Sequence, residues 1–231
     1  MTLIVAAQGN DEQGNYFVVL GADTRETVDV GTVRVEVNIA EKFYPLTSHA
    51  AILMCGDSGH AQYLIAKFRQ KIKGKRERGV TRLVEEFSTF CQLEAIERGR
   101  TPTVGNLPPN NRYVPNIGFV IGGLDLVEDK FVLPMCYGLS SYRGYAIELG
   151  GGGFVLDGKP MIARYLFAKE YRAGMDLDTV TNLVLKCLYD TARVDGDVGG
   201  KYRFAIIDSN GIRTKTEEEI DDMIDEAHLQ W

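Results

Sequence analysis

The sequence predicts an α+β fold of four layers, two antiparallel sheets stacked face to face with helices over both outer faces. Three observations predict it. β-rich apolar segments come in groups, across the first 56 residues and again from residue 117. Helical periods come in pairs between those groups, not in the single-strand, single-helix alternation that builds a parallel sheet. Segments such as AAILMCG are apolar at every position, as strands buried on both faces are.

The elements follow in order. TLIVAAQ and YFVVLGAD flank the turn signal GNDEQGN and predict a hairpin. VRVEV alternates strictly, and KFYPL and AAILMCG are two further strands. From Gly59, Ala61, Leu64, Ile65 and Phe68 keep a helical period that the basic, glycine-broken QKIKGKRERG ends as an exposed helix end and loop. Leu83, Val84, Phe87, Cys91 and Ala95 form the apolar stripe of a second helix over about 80–98. RTPTVGNLPPNNRYVPN reads as a loop excursion within one domain, because strands resume after it: IGFVIGGLD, KFVLPMCYG and YAIEL. LGGGGFVLDG closes that sheet region. Met161, Ile162, Tyr165 and Leu166 mark a third helix. Asp176 is the N-cap of a fourth carrying Val180, Leu183, Val184 and Cys187. DGDVGG, a strand YRFAIID, a turn SNG and an acidic helix complete a single domain over 1–231.

Composition excludes several classes. The 231 residues carry a net charge of -6, which disfavours nucleic acid, a partner that calls for a basic face. The acidity concentrates in EEEIDDMIDE, read as a solvated helix face. The four cysteines are isolated from one another and embedded in apolar sequence, as small buried hydrophobes of a reducing compartment. The three histidines show no metal-ligand spacing, and nothing indicates a cofactor. No apolar run approaches the ~20 residues of a membrane span, and TLIVAA is too short for a signal peptide. A cytoplasmic protein is expected.

Thr2, directly behind Met1, has two readings. It is the start of an ordinary strand, or Met1 is removed and Thr2 becomes a nucleophile with its own freed α-amine as base. The second reading needs further groups. A fixed cation must lower the amine's pKa, a carboxylate must hold that cation, and N–H donors must receive an oxyanion. Candidates are present, each with a plainer alternative. Asp23 ends the second strand, or forms a surface pair with Arg25. Lys42 begins a strand, or snorkels at the surface. Gly56 offers backbone N–H groups before a helix, or is a simple turn. Asp195 lies in a loop after a helix, or only caps it.

MTLIVAA, LGADTRET, AEKFYPL, MCGDSGHAQ, GFVIGGLD and DGDVGGKYRFAIID, in this order, resemble the proteasome β-subunit family of N-terminal-nucleophile (Ntn) hydrolases. The resemblance spans nearly the whole chain. It implies the same four-layer αββα sandwich, with amide hydrolysis through an ester on a threonine. By resemblance, Thr2 is the nucleophile, Asp23 its acidic partner, Lys42 the lysine beside it and Gly56 the oxyanion-hole glycine. Asp195 helps hold the N-terminus, and Thr27 pairs with substrate backbone. Met54 lines an apolar substrate pocket, where Glu26 instead favours a basic side chain. Two family serines are missing: Gly151, in LGGGG, and Val198 stand where they are expected.

Three functions remain open on these residues: a threonine peptidase or amidohydrolase, a connectase-like peptide ligase using the same acyl-enzyme, and a non-catalytic ring or scaffold subunit. The resemblance further implies a peptide or protein substrate and a homo-oligomeric ring or double ring. An ATPase or unfoldase partner is a possibility the sequence leaves open. Proteasome α subunits carry an extension before the first strand, and its absence here counts against that version of the scaffold.

Overall fold

The computed structural model describes residues 2–11, 13–30, 33–37, 40–97 and 115–228. The expected loop excursion therefore lies, up to residue 114, outside the described residues. The chain opens with β1 (Leu3–Asn10), β2 (Tyr16–Asp23), β3 (Glu26–Val30), β4 (Val33–Val37), β5 (Phe43–Pro45) and β6 (Ala50–Gly56). Helices α1 (Ser58–Ile72) and α2 (Val80–Glu97) follow. Next come β7 (Ile117–Val127), β8 (Lys130–Ser140), β9 (Glu148–Leu149) and β10 (Phe154–Gly158). Helices α3 (Met161–Glu170) and α4 (Leu177–Val194) lead to β11 (Tyr202–Asp208), β12 (Gly211–Thr214) and α5 (Glu217–His228).

Two five-stranded antiparallel sheets result, in the orders β10-β1-β2-β11-β12 and β5-β6-β7-β8-β9, with β3 and β4 as a separate ribbon. The apolar strands divide their side chains between three cores, which is why they read as unbroken apolar runs. Leu3, Val5 and Ala7 of β1 pack with Leu166, Phe167, Val184 and Leu188 of α3 and α4. Ile4 and Ala6 join Leu53, Val120 and Cys136 between the sheets. On the far side, Ile52 and Met54 of β6 pack with Leu64, Phe68 and Phe87 of α1 and α2. The αββα layering is thus the expected Ntn-hydrolase sandwich.

Helix starts follow local chemistry. Asp57 caps α1 by accepting from the His60 N–H at 3.0 Å, and Asp176 caps α4 by accepting from the Thr179 N–H at 2.9 Å. Glu217, in the acidic first turn of α5, meets Lys201 and Arg203.

Two expectations change. LGGGGFVLDG does not close the second sheet: β10 crosses to the first and pairs with β1, Leu3 opposite Gly158 and Ala7 opposite Phe154. Leu156 then packs under the α3/α4 layer and Val155 against the inter-sheet core, burial that a strand left at the second sheet's edge would lack. Helix α3 buries Ala163, Leu166 and Phe167, leaving Met161 and Tyr165 exposed. Its inner face is set by the α4 contact, not by its largest apolar residues.

Candidate active site

Thr2 lies just before β1, and strand pairing assembles its surroundings. Asp23 closes β2 beside it. The Asp23 Oδ1 accepts from the Thr2 hydroxyl at 2.6 Å and from the Leu3 N–H at 3.0 Å. Its Oδ2 accepts from the Gly199 N–H at 3.0 Å and the Arg25 N–H at 3.3 Å. Asp23 is fully buried, so the surface-pair alternative fails.

Lys42 enters from the second sheet, its carbonyl accepting from the Met54 N–H of β6 at 3.1 Å. Its ammonium donates to the Thr2 hydroxyl oxygen and the Arg25 carbonyl, and lies 3.2 Å from Asp23 Oδ1. Only 5% of Lys42 is exposed, and 3% of Thr2. Lys42 therefore does not snorkel. Burial pulls its pKa below the ordinary lysine range, against the opposing pull of the Asp23 charge. A polarised hydroxyl, a cation and a carboxylate so share one nearly dry corner.

A cavity of about 40 Å³ opens beside them, lined by Thr2, Glu26, Lys42, Met54, Gly56 and Ser58 among others. Glu26, at the start of β3, contacts the Ser58 hydroxyl at the start of α1. Thr27 follows in β3; its side chain lies outside the described residues. Gly56 ends β6 with φ +90°, and a Cβ there would sit 1.9 Å from the Asn116 carbonyl oxygen. Backbone strain of about 1–3 kcal/mol adds to that clash. Gly56→Ala is therefore expected to lower Tm by at least about 5 °C, at roughly 2–4 °C per kcal/mol for a chain of this size. Differential scanning calorimetry checks it.

Asp195 is one step removed. Its carboxylate pairs with Lys159 at 3.0 Å, and Asp197 pairs with the same ammonium at 3.2 Å. The Lys159 backbone N–H in turn donates to the Thr2 carbonyl at 2.9 Å. Gly151 is not beside Thr2. The glycine loop sits at the far end of β1, where the Gln8 N–H donates to the Gly153 carbonyl at 2.8 Å. The residues that β10 delivers to Thr2 are Gly158 and Lys159. Gly158, at φ +89°, leaves no room for a side chain: a Cβ would meet the Thr2 carbonyl at 1.9 Å.

Sequence reasoning missed Arg25, Ser58, Gly158 and Lys159. Arg25 and Ser58 stood within the motifs DTR and GDSG. Gly158 and Lys159 carried no local signal, because only the β1–β10 register brings them in.

The fold is of the Ntn-hydrolase, proteasome-like type. The Proteasome subunit family pattern matches residues 5–207. The chain belongs to that family. It is 26% identical over 198 residues to proteasome subunit beta 2 of Ignicoccus hospitalis, covering 84% of this chain and 81% of that one. It is 24% identical over 220 residues to proteasome subunit beta of Picrophilus torridus, covering 94% and 92%. A solved structure of Anbu, a (Gly-1) mutant from Hyphomicrobium sp. strain MC1, superposes with TM-score 0.70 at 14% identity, covering 100% of this chain and 96% of the other.

Proposed function

We propose that the chain is a threonine peptidase or amidohydrolase of proteasome β type, acting through Thr2 after removal of Met1. The observation that carries this reading is the buried contact of the Thr2 hydroxyl with both Asp23 and Lys42. In this reading Lys42 stabilises the developing alkoxide and Asp23 orients both groups. The freed α-amine takes the hydroxyl proton. Thr2 Oγ attacks a peptide carbonyl, the oxyanion is received at Gly56, and the C–N bond breaks to leave an ester and a free amine. Water completes hydrolysis. Asp195 acts from farther out, through Lys159 and the Thr2 carbonyl. Thr27 aligns substrate backbone as an edge strand does. Assembly into a homo-oligomeric ring, an ATPase partner and a cytoplasmic location belong to the same reading. Among the described residues no helix is long and apolar enough to cross a membrane.

Incubating the protein with a peptide, with and without a second peptide bearing a free amine, and weighing the products tests the reading. New carboxyl termini support a hydrolase, and joined peptides support the ligase. Unchanged peptides would reduce the chain to a scaffold.

Glu26 and Met54 line the same small cavity. The acid there predicts a preference for Lys or Arg before the cut bond. Glu26→Ala is expected to lower kcat/KM for such substrates by about tenfold or more while sparing those with Leu, one charge-assisted contact being lost. Equal loss on both substrates would contradict it.

A further inference from the structure

The charges of this chain are unevenly placed. Residues 69–78, RQKIKGKRER, carry six Lys or Arg and one acid. They end α1 and lead toward α2, where a cavity of about 660 Å³ is lined by Arg69, Lys73, Lys75, Arg76, Glu77 and Arg78 among others. The acids these residues offer or meet are engaged within the chain. Arg76 pairs with Asp129 at 3.2 Å, Arg78 pairs with Glu86, and Glu77 accepts from the Ser48 hydroxyl. Lys73 and Lys75 are exposed and have no ion pair among the described residues. The dipole of α1 favours Arg69 and Lys71, which lie in its last turn, but Lys73 and Lys75 stand beyond its end.

Helix α5 is the opposite case. EEEIDDMIDEAH holds seven acids and no Lys or Arg. Ile220 is buried, and Met223 and Ile224 pack against the α3/α4 core, so this side faces inward. Glu218, Asp222 and Asp225, at i, i+4 and i+7, form the opposite side, and all three are exposed. Glu217 and Glu219 have cations in Lys201, Arg203 and Lys215. Glu218, Asp222 and Asp225 have no ion pair among the described residues. Like charges at this spacing repel and destabilise a helix. The basic groove of the same copy is out of reach: α5 lies on the α3/α4 layer and the groove on the α1/α2 layer, with both sheets between them.

We propose that the acidic stripe of α5 docks in the basic groove of a second copy, so that copies join head to tail through opposite outer layers. The inference adds a named contact to the assembly reading above and is independent of the Thr2 chemistry. A second copy is the occupant because stripe and groove are opposite in sign and each is unsatisfied within its own copy. Single exposed ion pairs contribute little, so the contact relies on several acting together and weakens in salt. The two surfaces differ, so each added copy leaves one groove and one stripe open, and growth ends only where a ring closes. The Thr2 cavity meets α1 at Ser58, its first residue, and the groove lies at its other end.

Sedimentation velocity of the full chain tests this. The wild type is expected to self-associate in ~0.1 M salt and at least about tenfold more weakly in ~1 M salt, as the screening length falls from about 10 to about 3 Å. Two charge-reversed proteins separate the surfaces: Lys73→Glu with Lys75→Glu, and Glu218→Lys with Asp222→Lys. All four positions are exposed, so both proteins are expected to fold. Each alone should associate at least about tenfold more weakly than the wild type, its stripe and groove now being alike in sign. An equimolar mixture should associate at least about tenfold more tightly than either alone, because every groove then finds a stripe of opposite sign. A wild type that stays monomeric in low salt would overturn this contact and the assembly reading together. Assembly that survives both reversals, or a mixture no tighter than its parts, would overturn the contact and leave assembly to other surfaces. Poly-glutamate bound by a monomeric wild type and not by the Lys73→Glu, Lys75→Glu protein would give the groove to an acidic partner, which also overturns it.

Discussion

Thr2→Ala should abolish peptide turnover, with kcat/KM falling at least about 10⁴-fold, while the fold survives. The size follows from removing a nucleophile, for which neither Lys42 nor the remaining binding contacts can substitute. Survival of the fold follows from the local bonding. Among the described residues Asp23 accepts five hydrogen bonds, from the Thr2 hydroxyl, the Lys42 ammonium and the Leu3, Arg25 and Gly199 N–H groups, and the last four persist. Steady-state kinetics on a fluorogenic peptide amide, with circular dichroism in parallel, measure both. Turnover within tenfold of wild type would mean that Thr2 is only the start of a strand.

Lys42→Met should cost about 10³-fold in kcat, the scale of a group that stabilises charge in the transition state. Its effect on stability is expected to be small and opposite in kind. Burial holds the folded-state pKa of Lys42 below its unfolded value, so folding favours loss of its proton. Such a lysine detracts from stability below its folded pKa. That penalty lifts as pH rises through the folded pKa toward the unfolded lysine value. Replacing it with a methionine of similar length removes the buried charge. Asp23 loses its counter-ion but keeps its backbone N–H donors, which limits the damage such a truncation otherwise causes. Thermal melts from pH 7 to 10 should therefore show wild type gaining relative to Lys42→Met as pH rises. A kcat within a few-fold of wild type would leave Lys42 with no role at the nucleophile.

The fold was legible because its strongest signals were local. The hairpin around GNDEQGN, the cap at Asp176 and the paired helices each express short-range preferences, and all agree. Thr2, Asp23, Glu26, Lys42, Met54 and Gly56 were singled out through the family resemblance, and all but Met54 lie at or next to the end of a strand. What failed was long-range. Nothing in FVLDG states that it pairs with β1, so the glycine loop before it was set beside Thr2, whereas the register puts Gly158 and Lys159 there.

The most direct test of the central claim is the intact mass of protein purified from cells and treated with a threonine-directed epoxyketone, alongside Thr2→Ala. The account predicts loss of Met1 and one adduct on the wild type, with none on the variant. Wild-type protein that keeps Met1 and takes no adduct would contradict it.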